Sequence, residues 1–316
     1  MTVPIEHEVD VAVIGGGPAG LSAALNAARA RFRTLVLDGN RPRHAATLVS
    51  HGFLTRDGIS PLELRALGRA ELDGYPSAAF AFAQVEAVTR NEDIFVLAAS
   101  GVRGEPDRLV RARTVILATG LLEKLPAVPG IRAYYGTALH SCLECDGYEK
   151  RDEDLVLLGA GPDLLERAVL MRRWARSVTV CSNGPVAGGA EAFTAHGVRV
   201  DERPIAQLAG DRSGMTGIVF ADGAVLPARA GFVRPEWSVP LNFFEERPEV
   251  GDDGYVLVDA GGRTSVRGLY AAGDIAAPGP GQLIEAAGAG ARVARAILHD
   301  LVLRGTGAPQ LSSSRR

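Results

Sequence analysis

Cysteine is scarce, with three residues in a chain of 316. That is too few, and too odd a number, for the disulfide framework of a small secreted domain. Lysine is scarcer still: among 34 basic residues only Lys124 and Lys150 are lysines, and the arginines are scattered instead of clustered. With a formal net charge of -3, nothing offers the basic patch that nucleic acid requires. No run approaches the ~20 apolar residues that span a bilayer, so no membrane is expected. The opening Met1-Thr2-Val3-Pro4-Ile5-Glu6-His7-Glu8 lacks the basic and apolar regions of a secretory signal. The expectation is a cytoplasmic protein, in which a close cysteine pair serves catalysis, redox chemistry or metal binding.

What is abundant is glycine, 38 residues against an average near ~7%. An apolar content of 47% with 22% charged residues fits a globular chain and excludes a disordered one. At roughly 150 residues per domain the length fits two domains. Two segments share one design. Residues 9–38 run from an apolar strand through Gly15-Gly16-Gly17-Pro18-Ala19-Gly20 and an alanine-rich helix to a second strand ending at Asp38. Residues 154–181 repeat the order through Gly159-Ala160-Gly161, 144 residues later. Two such strand–helix–strand units at that spacing predict two nucleotide-binding-type α/β domains.

In the first motif, Gly15 permits the tight turn, Gly17 lets the backbone approach a pyrophosphate, and Gly20 allows close helix–strand packing. Pro18 and Ala19 open the helix whose positive N-terminus would face that pyrophosphate. Asp38, 18 residues after Gly20, suits a ribose hydroxyl. The second motif departs from this pattern. Leu164 stands where a small residue would let the helix pack closely, and Asp163 places a negative charge beside the helix start. Its second strand ends Cys181-Ser182-Asn183, with neither an acid for a ribose nor an arginine for a 2′-phosphate. The expectation is a domain that keeps its fold and uses NADPH poorly.

Cys142-Leu143-Glu144-Cys145 is the chemical centre. Two thiols at this spacing can close a small ring disulfide, and the spacing commonly lowers one thiol's pKa. Asp146 follows and could shuttle a proton to the departing thiolate. A zinc site is the competitor, but it needs four ligands, and only His140 and Cys181 are at hand to complete it. Redox chemistry is preferred, with no metal, and Cys181 reads as a buried small apolar residue. His44 and His51 flank a loop after Asp38, while Trp174 and Trp237 read as packing residues. Residues 78–90 and 94–99 alternate like antiparallel strands, and the proline-rich 125–130 looks like a linker. Residues 110–118 and 269–272 read as buried strands, 281–303 as a long helix, and the tail 312–316 as frayed.

Taken together, these motifs resemble the low-molecular-weight thioredoxin reductases and their flavoprotein relatives over nearly the whole chain. The resemblance rests on Gly15 to Gly20, Ala118-Thr119-Gly120, Cys142-Leu143-Glu144-Cys145-Asp146-Gly147 and Gly273-Asp274-Ile275-Ala276. It implies an α/β fold of two Rossmann-like domains, the second inserted into the first. Residues 1–121 and 248–316 would form a split FAD domain, and 122–247 a nicotinamide-binding-like domain carrying the cysteines. FAD would lie along the first glycine motif with Gly120 and Gly273 nearby, Asp274 on the ribityl chain and Gln282 near the isoalloxazine. Cys145 would be the flavin-facing thiol, Cys142 the thiol that exchanges with substrate, and Asp146 the acid/base, in a homodimer.

Two departures shape the functional expectation. The His-Arg-Arg-type run of these reductases is replaced by Cys181-Ser182-Asn183. The loop His51-Gly52-Phe53-Leu54-Thr55-Arg56-Asp57-Gly58 looks like a branch containing small-molecule dithiol oxidases, such as those closing disulfides in gliotoxin and holomycin, although that branch often has His where this chain has Asp146. The expected activity is an FAD-dependent thiol–disulfide oxidoreductase acting on a small dithiol, a small disulfide or a thioredoxin-like protein. The alternatives are an NADPH-dependent thioredoxin-disulfide reductase and a non-catalytic flavin-binding regulatory protein.

Overall fold

The computed structural model describes residues 4–276 and 278–306, with the side chains of 44, 45 and 304–306 outside that description. The side chain of His44 and the tail 312–316 therefore lie outside the described residues. By contacts the chain divides into two units. The first comprises Met1–Arg43, Leu62–Leu122 and Ser238–Arg316, and the second His44–Pro61 with Glu123–Trp237. The chain thus crosses between units at 122/123 and 237/238, and the loop bearing His51 belongs with the cysteines.

The first unit opens with β1 (Ile5–Ile14), α1 (Pro18–Arg29) and β2 (Thr34–Leu37), then α2 (Pro61–Asp73), β3 (Ala78–Ala81), β4 (Ala83–Asn91), β5 (Ile94–Gly101) and β6 (Arg108–Leu117). The inner half of β1, Val11 to Ile14, is buried throughout, as expected of a central parallel strand covered on both faces. Pro18 at the start of α1 fits a helix's first position, where its missing N–H is no loss.

The second unit runs through β7 (Leu122–Lys124), α3 (Ile131–Tyr134), β8 (Leu139–His140), α4 (Leu143–Asp146), β9 (Asp154–Leu158), α5 (Leu164–Met171), β10 (Ser177–Cys181), α6 (Ala190–Thr194), β11 (Arg199–Asp201), β12 (Ile205–Asp211), β13 (Gly214–Phe220), β14 (Val225–Pro227) and β15 (Ala230–Val233). After β16 (Glu236–Ser238) the chain returns to the first unit for β17 (Leu269–Ala271) and α7 (Leu283–Thr306).

In the first unit a seven-stranded sheet has the order β3-β2-β1-β6-β5-β4, with β17 pairing with β6 beyond β5. Alanines 23, 24, 27 and 28 give α1 a small, fully buried face. Against it α7 brings Gly290, where an added Cβ would stand 2.1 Å from the Ala19 carbonyl oxygen. In the second unit the five parallel strands β11-β10-β9-β15-β8 are joined by the antiparallel β12-β13-β14. One face of the parallel sheet packs with Leu143, Leu164, Ala168, Met171 and Phe193, and the other core gathers Val128, Ile131, Leu208 and Ile218. No described helix is long and apolar enough to cross a membrane.

Two local expectations need correcting. Residues 78–81 do not belong to an antiparallel hairpin: β3 runs parallel to β2, pairing Thr34 with Ala78 and Leu37 with Ala81. The strand breaks at Phe82, and only β4 turns back antiparallel to β5. Alternation reports which face is buried but says nothing of direction. Residues 125–130 are not a linker. Val128 is buried in the second unit's core, and the Pro129 carbonyl accepts the Leu208 N–H at 3.0 Å. Proline removes a donor, yet its carbonyl still docks.

Candidate active site

Strand β8 aligns on β15, with Phe232 opposite His140, and so delivers the chain to Ser141 and the start of α4. Leu143 anchors the short helix from within, buried in the same cluster as Leu155, Leu157, Leu164 and Phe232. At its far end Gly147 leaves room for Trp174, whose indole would lie 2.8 Å from an added Cβ. Trp174 is thus a packing residue under the active turn. With the helix seated this way, Cys142 and Cys145 are half-buried and joined as a disulfide. Cys142 is the N-cap of α4, and its Sγ accepts the Cys145 N–H at 3.2 Å. A thiolate released at Cys142 keeps that donor, the kind of setting that lowers a thiol's pKa.

Asp146, which follows Cys145 at the end of α4, belongs to a largely buried polar cluster. His140 Nε2 stands 3.5 Å from Asp146 Oδ1. Burial pushes the Asp146 carboxyl up to about 6, against the pull of the Lys150 and His51 charges. Burial, then the Lys150 charge, pushes His140 down to about 4. Between those values the pair is a neutral acid beside a neutral imidazole, not an ion pair. Lys150, one of the chain's two lysines, is buried with its Nζ donating to the Thr137 carbonyl at 3.3 Å. Desolvation lowers its pKa, opposed by Asp146 and Glu149. His51 stands 3.6 Å from both Asp57 and Glu149. His140, Lys150 and His51 had no cue linking them to the acid in the sequence.

A pKa of about 6 sets the sign of a pH effect. Asp146 holds its proton below that value and can then give it to a departing thiolate; above it the proton is lost. In single-turnover opening of the disulfide by a dithiol, the advantage of the native protein over Asp146→Asn is expected to be largest below about pH 6 and to shrink above it, from a ceiling of roughly 100-fold. Counting the protein's own thiols at each pH, after an acid quench and removal of the dithiol, checks this. A ratio that does not vary with pH rules out Asp146 as the titrating donor.

The first unit brings several of the other expected residues around one turn. Gly15, at φ 111, faces the Ala118 carbonyl oxygen, 2.2 Å from where a Cβ would sit, and Gly20 faces the Gly15 carbonyl oxygen at 1.9 Å. Gly120, at φ 64, follows Ala118 and Thr119. Gly273 lies against Ala19, its added Cβ 2.9 Å from the alanine's methyl. A Cβ at Gly17 would meet nothing within 4 Å, and α1 begins with no side-chain cap and no acid in its first turn. This open turn at an uncapped helix N-terminus fits the pyrophosphate of a dinucleotide.

The acids around the turn have partners that the motifs did not reveal. Asp38 is buried, accepting from Arg65 at 2.6 Å and from the Asn40 N–H at 3.0 Å. Arg65 also reaches the Gly16 carbonyl at 3.4 Å. Asp274 holds Arg43 at 2.8 Å and 3.2 Å and accepts the Gly281 N–H at 3.3 Å. The Gln282 N–H is taken by Glu285 at 2.8 Å, which caps the start of α7.

The second glycine turn is built differently. Gly161, at φ 151, lies under Arg234, whose Nε and Cζ would both be 2.7 Å from an added Cβ. Arg234 Nε in turn donates to Asp163 Oδ1 at 2.8 Å. Leu164 is buried in the core. Past the end of β10, Ser182 Oγ donates to the Gly184 carbonyl, and Asn183 Oδ1 accepts the Ile205 N–H at 2.7 Å. Cys181 is fully buried, and burial pushes its thiol up to about 12. Among the described residues no three His, Cys, Asp or Glu side chains gather as a metal site.

Comparison with known proteins agrees with this arrangement. The Pyridine nucleotide-disulphide oxidoreductase family matches residues 9–290. The chain belongs to this family. It is 32% identical over 306 residues to a thioredoxin reductase of Mycolicibacterium smegmatis, covering 89% of this chain and 93% of that one. The crystal structure of a putative thioredoxin reductase from Bacillus anthracis superposes with a TM-score of 0.86 at 34% identity, over 93% of this chain and 99% of the other. That of HlmI does so with a TM-score of 0.88 at 32% identity, over 96% of each chain. The protein is a thioredoxin reductase-like, FAD-dependent disulfide oxidoreductase with two Rossmann-like domains.

Proposed function

We propose that this oxidoreductase exchanges disulfides between the Cys142/Cys145 pair and a dithiol or disulfide substrate, in a homodimer that uses NADPH poorly. The observation that carries the reading is the half-buried Cys142–Cys145 disulfide set at the start of α4 with a protonatable Asp146 beside it. In the oxidative direction a substrate thiolate attacks Cys142 Sγ, the Cys142–Cys145 bond breaks, and Asp146 gives its proton to the leaving Cys145 sulfur. The second substrate thiolate then attacks the substrate sulfur of the mixed disulfide, releasing substrate disulfide and the Cys142 thiolate, which the Cys145 N–H receives. A lower-pKa thiol leaves faster, and this one is hydrogen-bonded. A bound FAD would supply the two-electron chemistry that resets the pair.

The reading of poor NADPH use rests on side chains already occupied. Ser182 and Asn183 bond internally, Arg203 is shared by Asp201 and Asp222, and Arg172 donates to the His196 carbonyl. A 2′-phosphate is best held by an available arginine fork. The second reading, an NADPH-dependent reductase of a thioredoxin-like protein, is favoured by the names of the relatives. Anaerobic mixing with micromolar NADPH and, separately, with a dithiol separates the two. Bleaching of the flavin absorbance by the dithiol alone is expected; rapid, saturable bleaching by NADPH promotes the reductase.

A further inference from the structure

The two glycine turns invite comparison position by position, because each has a first glycine (Gly15, Gly159) and a second (Gly17, Gly161) before a helix. The second glycine is the one that keeps room for a pyrophosphate. At Gly17 that room is open, with nothing within 4 Å of an added Cβ. At Gly161 the Arg234 guanidinium fills it, with Cζ and Nε at 2.7 Å and Nη2 at 3.1 Å. Gly159 is crowded by the same residue, 2.8 Å from the Arg234 carbonyl oxygen and 3.3 Å from its Cβ. The second pair of glycines is therefore accounted for by Arg234, without any ligand.

We infer that Arg234, pinned by Asp163, is a built-in occupant of the second dinucleotide cradle and the residue that sets this enzyme against nicotinamide dinucleotides. The inference rests on the reading that NADPH is a poor partner and gives that reading its structural cause. Arg234 is not a swinging surface chain. Its N–H donates to the Leu158 carbonyl at 2.8 Å, continuing the register in which Val233 faces Leu158, and Pro235 follows, holding the backbone extended. The side chain is 18% exposed, and its Nη1 also reaches the Pro235 carbonyl at 3.3 Å. Asp163, the N-cap of α5, has its carboxylate where the negative charge of a pyrophosphate would be drawn by the helix terminus. Guanidinium and carboxylate satisfy each other, so an incoming pyrophosphate must displace the first and repel the second.

Titration with NADH tests this, because NADH has no 2′-phosphate and so does not need the arginine that is missing near Ser182. The purified flavoprotein is expected to show no saturable NADH binding by calorimetry. The double variant Arg234→Ala with Asp163→Asn, which empties the slot and removes the charge, gains affinity by at least about tenfold. Asp163→Asn alone loosens the pin, removes no side-chain cap from α5, and gives a smaller gain of the same sign. Opening of the Cys142–Cys145 disulfide by a dithiol is the control for folding. If the variants keep that reaction and bind NADH no better, Arg234 is not the obstacle, while the poor use of NADPH stands. If the native protein binds NADH or NADPH tightly and Arg234→Ala weakens it, Arg234 is a clamp and both readings fall.

Discussion

Cys145→Ser is expected to lose turnover by roughly a thousandfold or more, as removal of a reacting group generally does, and yet to retain one reactive thiol. Given a small disulfide, Cys142 attacks one sulfur, expels the other half as a thiol and stays joined in a mixed disulfide. Without Cys145 no internal thiol resolves the adduct. Cys142→Ser should lose turnover equally but capture the same disulfide far more slowly. The asymmetry follows from α4. Cys142 is the N-cap, and its sulfur takes the Cys145 N–H at 3.2 Å. Arg167, whose guanidinium donates to the Ser141 carbonyl just before it, adds positive charge nearby. Thiolate character controls reactivity in exchange. Intact mass against time for both variants, with one disulfide reagent, reads the result. Equal capture rates would remove the assignment of Cys142 as the exchanging thiol, and full turnover in either variant would remove the pair from the chemistry.

The parts of this architecture that were legible in the sequence are the ones written in local spacing. Glycine–helix turns need glycine where a Cβ cannot fit, so Gly15 and Gly20 announced the first turn, and two cysteines three residues apart announced the disulfide. What stayed hidden was made by strand order. Asp163 and Arg234 are 71 residues apart, and meet because β15 lies beside β9. Asp274 meets Arg43 across 231 residues, and Asp38 meets Arg65 across 27. Asp163 read as a lone negative charge at the helix start, whereas its charge is paired there. In the same way His140 could be weighed only as a zinc ligand until β8 placed it 3.5 Å from Asp146. Proline at 126 and 129 signalled a missing donor, which is silent about burial. A buried charge demands a partner, but nothing in the sequence says that Lys150 is buried, so the polar cluster near the cysteines stayed hidden.

The same geometry separates fold from function at the first turn. In Gly20→Ala the new methyl would lie 1.9 Å from the Gly15 carbonyl oxygen and 3.2 Å from a Val13 methyl. The nearer atom is backbone, in the turn between β1 and α1, so the helix must shift away from the sheet. The expected loss is about 3 kcal/mol or more, at the upper end for overpacking, and with it a lower melting temperature whether or not FAD is present. Gly17→Ala should behave in the opposite way. Its backbone is extended, at φ -82, which alanine adopts without strain, and the added methyl meets nothing within 4 Å. The protein stripped of flavin should melt as the native chain does. The methyl, however, stands in the opening that fits a pyrophosphate, so FAD affinity is expected to fall at least about tenfold. Thermal melts of flavin-free protein and fluorescence titration with FAD decide the matter. If Gly17→Ala binds FAD as tightly as the native chain, the pyrophosphate does not lie against this turn; if Gly20→Ala melts unchanged, the close approach of α1 to the Gly15 carbonyl is not what that glycine serves.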